Sequence, residues 1–237
     1  MTRKTFRAKE TIATIVAEER FIPVAEQEIL RQRSELEAYI RDDPRFRHCL
    51  EPCAVPPDAP EIVRRMAETC SRVGVGPMAA VAGAIAEYAV RAMAAAGARH
   101  AVVDNGGDIA LLLAEPVTVA VYAGRDGPHD LGLRLEPRPT IFGVCTSSAT
   151  VGPSLSFGKA DAATVIATDV ILADAVATSL GNRLTRAHPK SIRSALHSLM
   201  VRGVDCLIAV MGDLIGMCGA IPEIVRVDLE WNLITKG

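Results

Sequence analysis

Aromatic side chains are scarce in this sequence: one Trp, three Tyr and five Phe make up 4% of 237 residues. The core must therefore come from Ala, Val, Ile and Leu, within a hydrophobic content of 49%. Neither sign of charge dominates, with 26 Lys and Arg against 28 Asp and Glu and a net charge of -2. That balance excludes a general nucleic-acid or polyanion binder, which carries a basic excess. The six cysteines, Cys49, Cys53, Cys70, Cys145, Cys206 and Cys218, include no C-x-x-C pair and no Cys/His set at zinc-finger spacing, so they are expected to be free, mostly buried thiols. Repeats of fixed period and low-complexity tails are absent. So is a dinucleotide fingerprint: Gly74-Val75-Gly76 lacks the third glycine and the acidic residue on a following strand. The first twenty residues lack the apolar run and cleavage site of a secretory signal, and a cytoplasmic location with reduced cysteines is expected. The longest apolar stretch, 77–96, is Ala-rich and carries Glu87 and Arg91, which favours a buried helix over a membrane span.

What is present reads as one domain over 1–237, since no linker composition interrupts it. Loose alternation over 6–16 predicts one or two strands. Pro23 opens a helix to about residue 40, with Ile29, Leu30, Leu36 and Ile40 near one face, stopped at Asp42-Asp43-Pro44. Four prolines between 49 and 60 predict an irregular loop, followed by a short helix to about 73. A Gly/Pro turn at 73–77 leads into a small-residue helix over 78–96, capped by Gly97 and expected to be the central packed helix. Strands are predicted at 100–104 and 109–113, at 117–123 and 131–135 continuing the same sheet, and at 141–146 and 163–168. Helices follow at about 172–184 and 189–201, then strands at 206–211, 214–218 and 224–228. Adjacent hairpins without strict β-α alternation predict an α+β fold, a mostly antiparallel sheet packed by helices.

Three runs could carry chemistry. Asp104-Asn105-Gly106-Gly107-Asp108 lies between two apolar strands. A hairpin turn explains Asn-Gly, whereas the second glycine and the flanking acids suit backbone amides facing a phosphate or a flavin edge. Cys145-Thr146-Ser147-Ser148, continuing to Gly152, is a hydroxyl-rich loop that could bind phosphate oxygens or be an ordinary polar turn. No nearby His activates Cys145, so it reads as inert. Lys159 and Asp161 read as exposed loop charges. Asp174 and Thr178 stand four apart on a helix and share a face. They suit a hard cation such as Mg2+, although on spacing alone the simpler account is that Asp174 caps or charges the first helical turn and Thr178 is a minor core residue.

In order, the Gly-rich turn into a small-residue helix, N-G-G-D, T-S-S and Ala173-Asp174-Ala175-x-x-Thr178 resemble the ApbE-like superfamily. The closer resemblance is to its short, functionally unassigned bacterial and archaeal branch, which Arg7-Ala8-Lys9-Glu10-Thr11 and Phe21-Ile22-Pro23 also fit. The likeness spans about 5–230. It implies an ApbE-type domain that binds FAD beside Mg2+ and moves the FMN half onto a Thr or Ser hydroxyl of an acceptor protein. By position, Asn105, Gly106, Gly107 and Asp108, with Thr146, Ser147 and Ser148, would bind the flavin. Asp174 and Thr178 would be the catalytic metal ligands. The chain departs from that pattern: 74–83 lacks the Lys and Asp of the transferases, their His-x-x-Asp-Pro-x-Thr-Gly segment is missing between Ser148 and Asp161, and Pro153 stands where the short branch has His. Three functions follow: a Mg2+-dependent FMN transferase or FAD pyrophosphatase, a non-catalytic flavin or nucleotide-binding module, and a factor in anaerobic sulfur assimilation to homocysteine. Small residues and apolar C-terminal strands would permit a homodimer, and neither a nucleic-acid nor a membrane partner is expected. The functional readings share one spatial requirement, that the Gly106-Gly107 amides and the Asp174 carboxylate face one cavity.

Overall fold

The computed structural model describes residues 1–124, 130–149 and 157–227, and structural statements below concern those residues. Thr150 to Gly152, Pro153 and Asp228, which the sequence reading singled out, lie outside them. Two hairpin strands, β1 (Thr2–Ala8) and β2 (Thr11–Ala17), open the chain. A 3-10 turn (Glu19–Phe21) leads into α1 (Ile22–Asp42), with Pro23 in its first turn, where no amide partner is lost. Its buried face is Ile22, Ala25, Ile29, Gln32 and Leu36, a helical repeat. A single turn, α2 (Arg45–His48), then α3 (Glu61–Ser71), a second 3-10 turn (Pro77–Ala80) and α4 (Val81–Ala95) follow.

Next come β3 (Ala101–Asn105), β4 (Asp108–Leu112), β5 (Val117–Ala120), β6 (Leu131–Leu135), β7 (Phe142–Ser147) and β8 (Ala162–Ala167). The chain continues through α5 (Val170–Arg183), α6 (Pro189–Ser198), β9 (Val204–Met211), β10 (Leu214–Gly219) and β11 (Glu223–Arg226).

Eight strands form one antiparallel sheet in the order β1-β2-β3-β4-β7-β8-β9-β10. The α+β expectation holds. One detail does not: β5 and β6 do not continue this sheet but pair with each other and with β11 in a separate three-stranded sheet. Period-two patterning shows that one face of a strand is buried; it does not show against what.

Side chains alternate across the large sheet into two cores. Ile15, Val103, Ala163, Val165, Leu207 and Ala209 join the helices on one face. Leu111, Phe142, Val144, Ile166, Ile208 and Val210 meet Leu131, Leu133 and Leu135 of the small sheet on the other. Both faces of β8 and β9 are thus covered, which is why their sequences are apolar on both faces except at Thr164 and Asp205. Each fully buried Ile or Leu contributes roughly 1.5–3 kcal/mol, so the aliphatic side chains make up for the scarcity of rings.

The apolar stretch Pro77–Ala95 is long and apolar enough to span a membrane by length and composition. In this fold it packs against α1, α5, β3 and β4 inside the helical layer. The central place it was expected to hold is shared with α5, in which eleven of fourteen residues are buried.

Candidate functional site

Position along α5 is set at its N-terminus. Asp169 caps the helix, its Oδ1 accepting from the Leu172 N–H at 2.9 Å, while the Val170 N–H donates to Glu87 Oε2 on α4 at 3.0 Å. Asp174 therefore lies in the second turn and is not the cap. It faces α4, where the Gly83 N–H donates to its Oδ2 at 2.8 Å, the only hydrogen bond Asp174 receives among the described residues. That approach needs a glycine, because a Cβ at Gly83 would lie 2.8 Å from Asp174 Cβ and 3.0 Å from the Val170 carbonyl oxygen. Gly83→Ala sets about 1 kcal/mol of helix propensity against a clash of roughly 1–3 kcal/mol. The clash should win, since Asp174 Cβ and the Val170 carbonyl cannot swing aside even if Asp174 Oδ2, also 3.0 Å away, turns. Urea denaturation is expected to show net destabilisation, and a Mg2+ titration of the same variant a weakened response.

The N-G-G-D run is a tight hairpin turn between β3 and β4. Asn105 pairs with Asp108, and Gly106 and Gly107 adopt left-handed φ of 71° and 101°, which glycine reaches without strain. Its side chains tie the turn inward. Asn105 Nδ2 donates to the Ala82 carbonyl of α4 at 3.1 Å, and Asp104 Oδ1 accepts from the Gly107 N–H at 2.9 Å. The expectation that both glycine amides face a ligand is thus corrected at Gly107, whose N–H is already engaged. The turn's contribution to the cavity is its last residue, Asp108.

A cleft of about 240 Å³ opens between the start of α4, the ends of β4 and β7, and α5. Asp108, Thr146, Ser147, Asp174 and Thr178 line it together with Asn182, the Gly76–Ala82 segment, and Arg47, Cys49, Leu50 and Phe157 at other points of its wall. Asn105, Gly106, Gly107 and Ser148 do not line it. Thr146 Oγ1 shares a 2.9 Å hydrogen bond with Thr164 Oγ1, and Thr178 Oγ1 donates to the Ala79 carbonyl at 3.3 Å. Cys145 is fully buried below, its thiol directed at the Val170 carbonyl at 3.7 Å and pushed well above its ordinary pKa by burial and then by the charges of Asp108 and Asp174. Of the two loop charges, Asp161 accepts from the Gly212 N–H at 2.6 Å, and exposed Lys159 donates its backbone N–H to the Leu184 carbonyl.

The electrostatics of the cleft are lopsided. Burial, then the charges of Asp174 and Asp104, push the Asp108 carboxyl well above the usual carboxylate range, against relief from the Cys145 thiol and the Thr146 amide. Asp108 keeps part of its surface open to the cleft, but its carboxyl is packed deeply enough for burial to dominate. Burial likewise pushes Asp174 up to about 7, against the Gly83 N–H. Two desolvated carboxylates in one cleft hold their charge poorly unless a cation joins them.

The donor set fits Mg2+ of the kind that keeps waters and is completed by a substrate phosphate: one or two carboxylates, hydroxyl oxygens and no imidazole lining the cleft. It does not fit an all-protein cage, since no cluster of three or more His, Cys, Asp or Glu able to hold a metal occurs among the described residues. Sequence reasoning found Asp108, Asp174, Thr146, Ser147 and Thr178 and missed Gly83, Arg47, Leu50, Phe157 and Asn182. A glycine in the first turn of a helix was the available signal for Gly83.

Comparison with known proteins agrees with this architecture. The family model described as AbpE bacteria matches residues 3–202. A protein described as UPF0280 protein from Methanocella arvoryzae is 52% identical over 238 residues, covering 99% of this chain and 96% of that one. Its counterpart in Methanococcoides burtonii is 46% identical over 237 residues, covering 99% and 100%. Among solved structures, the apo form of the Pseudomonas stutzeri flavinyl transferase ApbE superposes with a TM-score of 0.58 at 15% identity, covering 92% of this chain and 93% of that one. The ApbE protein of Thermotoga maritima superposes with a TM-score of 0.55 at 12% identity, covering 100% and 99%. At such identities these two likenesses concern the fold. With the family model spanning most of its length and full-length relatives near half identity, the chain belongs to the AbpE bacteria family, a branch of the ApbE-like superfamily.

Proposed function

We propose that this chain is an ApbE-type flavin-handling protein that binds FAD with its diphosphate on a Mg2+ held by Asp174, Thr178 and Asp108, and that it breaks the diphosphate there. The observation carrying this reading is that Asp108 and Asp174, from a sheet turn and a buried helix, face one cleft with both carboxyls driven toward neutrality by burial. When bound, Mg2+ would neutralise the diphosphate and polarise it for in-line attack. The Ser147 hydroxyl would orient phosphate oxygens, as would that of Thr146 when Thr164 is the donor in their shared hydrogen bond. Attack by water breaks the P–O–P link to give FMN and AMP; attack by an acceptor Ser or Thr hydroxyl gives an FMN ester and AMP. Among the described residues no His or Lys lines the cleft, and with Asp108 and Asp174 engaged on the metal the nucleophile's proton leaves to solvent, so turnover is expected to be slow. Six free cysteines suit a reducing, cytoplasmic setting.

Incubation with FAD and Mg2+, followed by chromatography, should yield FMN and AMP in equal amounts. Chelation should stop the reaction, and Asp174→Asn should slow it at least a hundredfold. Cleavage that persists without metal, or is unchanged in Asp174→Asn, would refute the proposal. The missing base favours a second reading, a flavin-binding module without turnover. It predicts Mg2+-dependent FAD binding with no AMP released. A thiol mechanism for sulfur assimilation draws no support from Cys145, which is sealed in the core.

A further inference from the structure

Two further parts of the cleft wall differ from the acidic pair in chemistry. One is the chain after α2. Arg47, exposed and with no hydrogen-bond or ion-pair partner among the described residues, lines the cleft together with Leu50. This stretch is laid directly on the start of the α4 segment: the Gly76 N–H donates to the Leu50 carbonyl at 2.9 Å, and a Cβ at Gly76 would lie 1.8 Å from the Cys49 carbonyl oxygen. The other is Phe157, beside α5. Its backbone N–H donates to Asn182 Oδ1 at 3.0 Å, and the next residue, Gly158, is pressed so closely on α5 that a Cβ there would lie 1.8 Å from the Gly181 carbonyl oxygen. Both parts of the wall are held by backbone contacts that admit no side chain, so Leu50 and Phe157 are presented by fixed supports.

Phe157 and Leu50 are 61% and 58% exposed, in a protein with only five Phe residues. An apolar ring left in water beside a polar cleft is an unused stacking surface. The cleft itself, at about 240 Å³, is smaller than the roughly 300–1,000 Å³ of pockets that enclose a whole drug-sized ligand. It has room for a metal-bound phosphate group, and anything larger must extend over the rim.

We infer that the ligand joins a planar ring to a phosphate, with Phe157 and Leu50 packing on the ring at the rim and Arg47 supplying the positive charge for the phosphate. This rests on the metal–phosphate reading of Asp108 and Asp174 and adds what that reading lacks, a ring subsite and a protein cation in a chain whose early helix has no Lys. Arg47 can serve because a guanidinium keeps its charge and matches phosphate geometry.

The test is equilibrium titration of the full chain, in Mg2+, with inorganic pyrophosphate, FMN, FAD and ADP. Phe157→Ala should weaken FMN, FAD or ADP binding about tenfold, the scale of one lost stacking partner, and leave pyrophosphate unchanged. Arg47→Ala should weaken pyrophosphate and the ring-bearing ligands alike, with Arg47→Lys recovering part of the loss and Mg2+ binding unaffected. Circular dichroism and melting curves matching wild type would show that these surface variants fold. Binding of ADP without flavin would overturn the flavin assignment while sustaining the ring subsite. Binding of pyrophosphate with no gain from any ring would overturn the inference while sustaining the metal site. Equal losses for pyrophosphate and FMN in Phe157→Ala, or no binding of any of the four ligands, would also overturn it.

Discussion

Asp174→Asn is expected to abolish the response to Mg2+ and, at the same time, to stabilise the metal-free protein at pH 8. The two effects have one cause. Burial raises the Asp174 carboxyl from its ordinary 3.8 to about 7, so the folded state holds a proton that the unfolded chain has released. Well below pH 3.8 both states are protonated and the site costs nothing. Stability then falls as pH rises through the window from 3.8 to about 7, and above it the whole penalty is in force. The gap corresponds to roughly 4 kcal/mol, an upper figure because Asp108 titrates with it. Asn removes the charge, keeps an oxygen for the Gly83 N–H, and relieves Asp108 of a repelling neighbour. Denaturant midpoints should therefore drop from pH 5 to pH 8 in the metal-free wild type and change much less in the variant. Mg2+ should restore the wild type at pH 8 more than at pH 5, because protons and metal compete for the same oxygens, and should leave the variant unmoved. A wild type whose stability is flat across this range, or a variant that is less stable at pH 8, would contradict the electrostatic picture.

The largest loss of stability is expected at Glu87. This carboxylate is 2% exposed, and its two oxygens serve three partners: the Arg65 guanidinium at 2.8 Å, the Arg91 guanidinium at 2.6 Å and the Val170 N–H at 3.0 Å. Arg65 also holds the α5 cap, Asp169, at 2.8 Å, and lies over the Tyr88 ring. Glu87→Ala would leave a half-buried Arg65 without its main counter-charge and an N-terminal amide of α5 without an acceptor. Breaking a buried pair from one side costs about 3–5 kcal/mol, several times a surface ion pair. Glu87→Gln retains an acceptor for Val170 and should lose only about 1–3 kcal/mol. Thermal and urea unfolding of the two variants measure this difference. Since Val170 begins the helix that carries Asp174, Glu87→Ala should also weaken Mg2+ binding, although it does not touch the cleft.

Features decided by local chemistry were legible in the sequence. The mostly apolar runs of β8 and β9, the Asn-Gly-Gly-Asp hairpin, the stop at Pro44, and the shared face of Asp174 and Thr178 all follow from spacing within a few residues. Features decided by distant contacts were not. The segment 131–135 alternates in the same way whether it extends the large sheet or covers it; the choice comes from Leu131, Leu133 and Leu135 completing a second core. A single turn such as α2 is too short to show a period, so Arg47 gave no sign of reaching the cleft. Gly76 read only as part of a turn, and nothing in the sequence marked the close approach at Gly83 or Gly158; the backbone or side chain pressed against each explains it. Within the N-G-G-D run the division of labour was also hidden. Asn105 anchors the turn to α4, Asp104 takes the Gly107 amide, and Asp108 is left for the cleft.

The pairing of Asp108 with Asp174 around one cation is most directly tested by crystals soaked with FAD and Mn2+, a Mg2+ surrogate that can be located by its anomalous scattering. A single peak bonded to both carboxylates, with the diphosphate completing its shell, is the expected result. Bound FAD with no peak between these residues, or a peak elsewhere on the molecule, would contradict it.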